Sequence, residues 1–222
     1  MHIPDGFLSP QTWIPAYGLA AGAWFWAARG LRQRLDESTV PRLAMLTALA
    51  YGLGLIMVPL PGGSSGHALG VALLTLLFGL RPAFLAYSGV LLLQALLFGA
   101  GGVTALAVNV LAMGLAGGAV ALLLFRLLRP FQESLAVLLA AWGSVMAGAL
   151  LLALVLGAQP LIASRADGSP LFFPFDWSVT LPAMLIPHAL IGLGEAALTL
   201  LVWRYARRRG WVQTAAGRPV TP

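Results

Sequence analysis

From residue 12 to residue 203 the sequence is a succession of seven apolar runs, divided by short stretches of glycine, proline and arginine. About 20 apolar residues in a helix match the hydrocarbon thickness of a bilayer, and shorter runs suffice where the membrane thins. The runs fall at roughly 12–29, 41–59, 67–80, 82–99, 103–125, 134–157 and 179–203. Inside lipid every backbone N–H and C=O must find its partner within the protein, which makes helices the natural fold of such runs. The expectation is an all-α, polytopic membrane protein with seven transmembrane helices. Composition agrees, since 59% of the residues are hydrophobic and 9% are charged, against roughly 25% charged in soluble domains. No break in composition marks a second domain. Residues 1–222 therefore read as one integral-membrane unit: a loop at 1–11, a bundle at 12–203 and a basic tail at 204–222.

The arginines orient the bundle. All 13 basic residues are arginine. With the amino terminus outside, the inner connections hold Arg29, Arg32, Arg34 and Arg42, then Arg81, then Arg126 and Arg129. The tail adds Arg204, Arg207, Arg208, Arg209 and Arg218, so that Arg165 alone falls outside. An even number of spans would put the tail on the wrong face. The positive-inside rule thus favours seven spans, N-terminus out and C-terminus cytoplasmic. The net charge of +6 then reports topology and a contact of the tail with anionic lipid, with no nucleic-acid partner implied. Without cysteine there are no disulfides or thiolate sites, and without lysine there is no GxxxxGK[ST] phosphate loop. Any ATP-derived energy has to come from another chain.

This topology puts residues 1–11, the loop PLPGGSSGH, the turn FGAGGVT and residues 158–178 on one face. His2 and His67 then share a side of the membrane. No basic patch and apolar run open the chain as they would in a signal peptide, and a bulky histidine at position 2 should disfavour removal of Met1. A free amine followed by histidine offers three nitrogens in fused chelate rings: the amine, the residue-2 amide after loss of its proton, and the imidazole. Ni(II) and Cu(II) favour such tetragonal nitrogen sets, and His67 is positioned to supply a fourth. Residue by residue, the alternative also stands: His2 as a tail residue and His67 as the cap of the following helix. Asp5, Ser64 and Ser65 are candidates to orient the imidazoles, or ordinary turn residues. Asn109 and Gln94 sit in apolar spans, where bonding between helices competes with a contact near the metal. His188 and Glu195, seven residues apart, lie on one helix face about two turns from each other. Small residues four apart, Ala16/Ala20, Ala23/Ala27 and Gly114/Gly118 among them, are read as packing positions.

Four blocks carry a resemblance: MHIPDGFLSP at the start, PGGSSGHALG at 61–70, QALLFGAGGVTALAVNVLAMGLAGG at 94–118 and PHALIGLGEAALT at 187–199. In this order they resemble the CbiM/NikM family, the substrate-binding S-components of energy-coupling factor (ECF) ABC transporters for nickel and cobalt. The resemblance implies a seven-helix bundle into which the N-terminal loop tucks. It implies a divalent metal held by the Met1 amine, the His2 amide and imidazole, and the His67 imidazole. It also implies partners: a membrane T-component, two cytoplasmic ATPases and, as a separate chain, a small accessory membrane subunit. The S-component itself hydrolyses nothing and is no enzyme. SGHALG is closer to the nickel branch, the cobalt branch tending to SHPTG, so Ni2+ is favoured as the transported ion with Co2+ next. His188 and Glu195 match the last block as part of the bundle's polar interior.

A reading from another class competes. Gly63-Ser64-Ser65-Gly66 fits GxSG and His188 to Gly192 fits HxxxG, as in a rhomboid-like intramembrane serine protease using Ser65 and His188. An HxxxN element and a Trp-Arg loop are missing, and the MHIPDG block would go unexplained.

Overall fold

Helix boundaries follow the punctuation of the sequence. In the computed structural model, residues 1–31, 35–60 and 64–212 are described, with backbone alone for 58–60, 64 and 65. Helix α1, Pro10–Ala28, opens with proline at its first position, where no N–H is required. Helix α2, Thr39–Gly54, ends earlier than the apolar run does. Pro59 forces the residue before it into extended backbone, and the chain enters a short hairpin instead. Strand β1, Val58–Leu60, pairs antiparallel with β2, Ser64–Gly66, in the register Val58↔Gly66. Helix α3, Val71–Phe78, is bracketed by Gly70 and Gly79 at φ +74° and +84°. Those left-handed positions confine it to eight residues and leave His67 on the loop before it.

Helix α4 is Leu80–Phe98, closed by Gly99 in the left-handed conformation. Helix α5 is Leu106–Leu128, with a π-helical stretch at Val110–Gly117 directly after Asn109. Helix α6, Glu133–Ile162, includes a last short turn at Gln159–Ile162. Helix α7, Trp177–Arg208, is capped by the Asp176 carboxylate, which accepts from the Ser178 N–H. Among the described residues the fold is helical apart from the hairpin and one isolated bridge, Ser164 to Pro170. Four helices, α4 to α7, are long and apolar enough to cross a membrane. Helices α1, α2 and α3 have 19, 16 and 8 residues.

The core is built on close approach. Helices α6 and α7 run alongside each other, and α6 turns Ala136, Ala140, Gly148 and Ala149 inward. A Cβ on Gly192 would come within 2.8 Å of Trp142. One on Gly118 would meet Leu80 at 2.8 Å and Thr75 at 2.9 Å, and one on Gly114 would meet Phe84 at 3.2 Å. Ala16, Ala20 and Ala27 of α1 are buried too. These small-residue positions are thus internal packing sites, whereas Gly18 and Gly22, a further pair expected to pack on the same spacing, face outward with nothing within 4 Å of a Cβ. Outward, Leu96, Leu127, Ile186, Leu193 and Leu201 are more than half exposed, a surface suited to lipid.

The arginine-bearing connections meet. The Arg81 guanidinium donates to the Arg29 carbonyl at 3.3 Å, Arg42 stacks over Trp211, and Glu133 pairs with both Arg129 and Arg207. Arg165 instead bonds within its own loop, to Ser169. Arg32, Arg34 and Arg218 lie outside the described residues.

Candidate metal centre

Residues 1–9 form an arm that is held mainly by its backbone. The Ile3 N–H donates to Asn109 Oδ1 and the Asn109 amide donates back to the Ile3 carbonyl, both at 3.0 Å. That same carbonyl accepts the Gly102 N–H at 3.0 Å. Farther along, the Asp5 carboxylate accepts the N–H groups of Val103 and Thr104, at 3.0 and 2.8 Å, together with the Thr104 hydroxyl. The arm ends where the Ser9 N–H donates to the buried Gln159 side chain at 2.9 Å. Ile3 and Leu8 are sealed in the core between these anchors.

The glycine turn between α4 and α5 makes the fit possible. Gly101 has φ +90°, and a Cβ there would lie 3.1 Å from His2 Cβ and 3.4 Å from Asn109 Nδ2. At Gly102 a Cβ would collide with the backbone and carboxylate of Asp5. Any larger side chain at these two positions would push the arm out.

The arm delivers His2 onto His67. The two rings stack with centroids 4.7 Å apart and planes 19° from parallel, and His2 Nδ1 faces His67 Nε2 at 3.4 Å. His67 Nδ1–H donates to the Ala68 carbonyl at 2.9 Å. Since a carbonyl only accepts, that bond fixes the tautomer and leaves the Nε2 lone pair toward His2. Adjacent nitrogens around a square-planar metal, with metal–nitrogen bonds of about 2.0 Å, lie about 2.8 Å apart. A modest closure of the observed gap would therefore admit a metal in place of the proton that the two nitrogens share without it.

Electrostatics favours the same outcome. Burial pushes the Met1 amine down to about 6. Burial, with the amine's charge second, holds His67 at about 4 and His2 well below the usual imidazole range. At neutral pH all three present lone pairs. Among the described residues no three His, Cys, Asp or Glu side chains come together as a metal cluster. The Met1 amine and the His2 amide nitrogen are the donors covalently adjacent to His2 for a metal seated between His2 and His67. The Met1 sulfur does not serve that purpose here: it packs toward Gly148, where a Cβ would meet it at 3.3 Å.

A cavity of about 700 Å³ adjoins this point, lined by Met1, His2, His67 and His188 and roofed by Phe7 and Phe173. The Phe7 and Phe173 rings pack with centroids 5.3 Å apart, so the loop before α7 covers the arm.

The remaining candidates fall in different places. Asp5 reaches neither imidazole but anchors the arm, and its hydrogen bond from the Thr104 hydroxyl, foremost, lowers its carboxyl pKa. Asn109 joins the arm rather than a neighbouring helix. Glu195 sits behind His67, where its two oxygens accept the Leu69 and Gly70 N–H groups at 2.8 and 2.7 Å. His188 lines the cavity itself. The side chains of Ser64 and Ser65 lie outside the described residues. Ser65 is on strand β2 and not on a membrane helix, which removes the two-helix serine–histidine arrangement that the protease reading needs. Sequence reasoning passed over Gln159, Thr104 and the Phe173 roof.

Comparison with known proteins places the chain among metal transport proteins. Residues 2–211 match the family described as CbiM, cobalt uptake substrate-specific transmembrane region. The chain is 37% identical over 212 residues to a probable fused nickel transport protein, LarMN, of Lactiplantibacillus plantarum, covering 94% of this chain and 65% of that one. It is 35% identical to the fused nickel transport protein NikMN of Rhodobacter capsulatus (91% and 61% covered). Against the cobalt transport protein CbiM of Anoxybacillus flavithermus it is also 35% identical (92% and 81% covered). The chain thus spans less than two thirds of the length of the fused relatives. A solved structure, that of a truncated transition metal transporter, superposes with a TM-score of 0.89 at 35% identity, covering 94% of this chain and 99% of the other. The family match over residues 2–211, with a helical scaffold shared over nearly its whole length, places this chain in the CbiM family.

Proposed function

We propose that the chain is the substrate-binding membrane subunit of an ATP-driven uptake system for a divalent transition-metal ion, with Ni2+ the preferred cargo and Co2+ next. The observation that carries this reading is the 3.4 Å approach of His2 Nδ1 to His67 Nε2 beside a buried terminal amine. The Met1 amine, the His2 amide nitrogen, His2 Nδ1 and His67 Nε2 would form a planar set of four nitrogens, a field that suits Ni(II) better than Co(II). Seven passes, with the arm outside and the tail in the cytoplasm, would open the site outward for capture in a prokaryotic inner membrane. A membrane T-component and two ATPases, joined in some systems by a small accessory membrane subunit, would drive reorientation and release. The similarity to fused nickel transport proteins supports both the cargo and the multi-part assembly.

Metal retention on the purified chain tests the reading. His2→Ala and His67→Ala should each abolish stoichiometric Ni2+ retention. One extra residue ahead of Met1 should do the same, because it moves the amine away from the amide of His2. Unchanged retention in the extended protein would rule out the terminal chelate. A yellow, diamagnetic Ni2+ complex is the expected spectral signature.

A further inference from the structure

His188 carries a feature that the proposed four-nitrogen set does not use. Its ring is 4% exposed, and Nε2 is buried with no hydrogen-bond partner. Nδ1–H donates to the Met184 carbonyl at 2.6 Å, so in the neutral ring Nε2 bears the lone pair. His67 uses the same device, with Nδ1 tied to the carbonyl of Ala68. A main-chain carbonyl thus aims each ring and leaves its outer nitrogen as a ligand atom.

Both rings line the 700 Å³ cavity. Thr180, Met184 and His188 follow each other at four-residue spacing on α7 and all face it. The rest of the lining is largely apolar, so a lone pair without a partner there is costly. Such orphaned groups call for a function or a missing partner. An imidazole nitrogen lining the same largely apolar cavity as His67 has a candidate partner in a divalent ion held by His67.

We propose that His188 is a second ligand position for the metal, occupied when His2 lets go. On this view, which rests on the metal-uptake reading above, the arm can withdraw without returning the ion to water. His67 keeps its bond while His188 Nε2 replaces the nitrogens that leave with the arm. The exchange is ligand substitution with no change of oxidation state, and the His2 amide nitrogen takes back a proton from water as it leaves the metal.

The test is a set of Ni2+ titrations on the full-length purified chain, comparing wild type, H188A, H2A and H2A/H188A. H188A should bind within about threefold of wild type and keep the planar spectrum. H2A should retain residual binding, and adding H188A should weaken it by at least about tenfold, the usual effect of losing a group that supports a metal. Co2+ bound to H2A should report the same ligand through a change in its visible absorption when His188 is replaced. Equal residual affinity and equal Co2+ spectra in H2A and H2A/H188A would overturn the proposal. Should H188A not fold, H188Q carries the same comparison, since its amide offers no imidazole nitrogen. A wild-type chain that fails to bind Ni2+ would instead bring down the underlying reading, so the two failures are distinguishable.

Discussion

At the residue scale the site works by removing water from nitrogen. An amine pushed down to about 6 is already neutral at pH 7, so only the amide proton of His2 remains to be displaced. Calorimetry of Ni2+ binding in buffers of different ionisation enthalpy should therefore show about one proton released at pH 7; close to two would mean an ordinary amine. Asp5 supplies the opposite sign. Its folded-state pKa lies below the ordinary value of 3.8, so its hold on the arm is complete above that value and is lost as pH falls through the lower one. Acidification should loosen the arm in that window, seen as a change in Trp13 fluorescence, and D5N should lack that component. The approach of His2 to His67 was legible because its chemistry is carried by residue type; the role of Asp5, expected to orient an imidazole or make a local turn, was not, since it reaches across to Val103 and Thr104. Thr104 and Gln159 were not, since a polar side chain beside a membrane helix signals nothing until the fold shows what it meets.

Elements set the position of His67. A short α3 between two left-handed glycines leaves the histidine on a loop, and Glu195 from α7 ties that loop down through Leu69 and Gly70. Removing the carboxylate strands two buried N–H groups, each worth about 1–3 kcal/mol. E195A should lower the melting temperature in detergent and weaken Ni2+ binding, and E195Q, which keeps one acceptor, should do less of both. Equal Ni2+ affinity in E195A would show that the loop holds without α7. Helix positions were readable to within a few residues, because bilayer length and glycine or proline punctuation act locally. The end of α2 was not, since its apolar run continues past Gly54 while Pro59 redirects the backbone into a strand. The π stretch after Asn109 also left no trace in a sequence that is apolar throughout.

For the whole molecule the open quantity is orientation, and a chain without cysteine is suited to measuring it. Cysteine placed singly at Ala166 should react with a membrane-impermeant maleimide added outside intact cells, and cysteine at Gln132 only after lysis. The reverse pattern would invert the topology. At this scale the arginines give an expectation of orientation, because each connection contributes independently; the cavity left no sign in the sequence, being made by separate parts of the chain. One consequence concerns time. If the arm is the door to the proposed metal site, held by Asn109, Asp5 and Gln159, a bound ion would leave no faster than the door swings. Exchange of bound ion in the isolated subunit should then be governed by the lifetime of a handful of hydrogen bonds, whatever the concentration of competing metal.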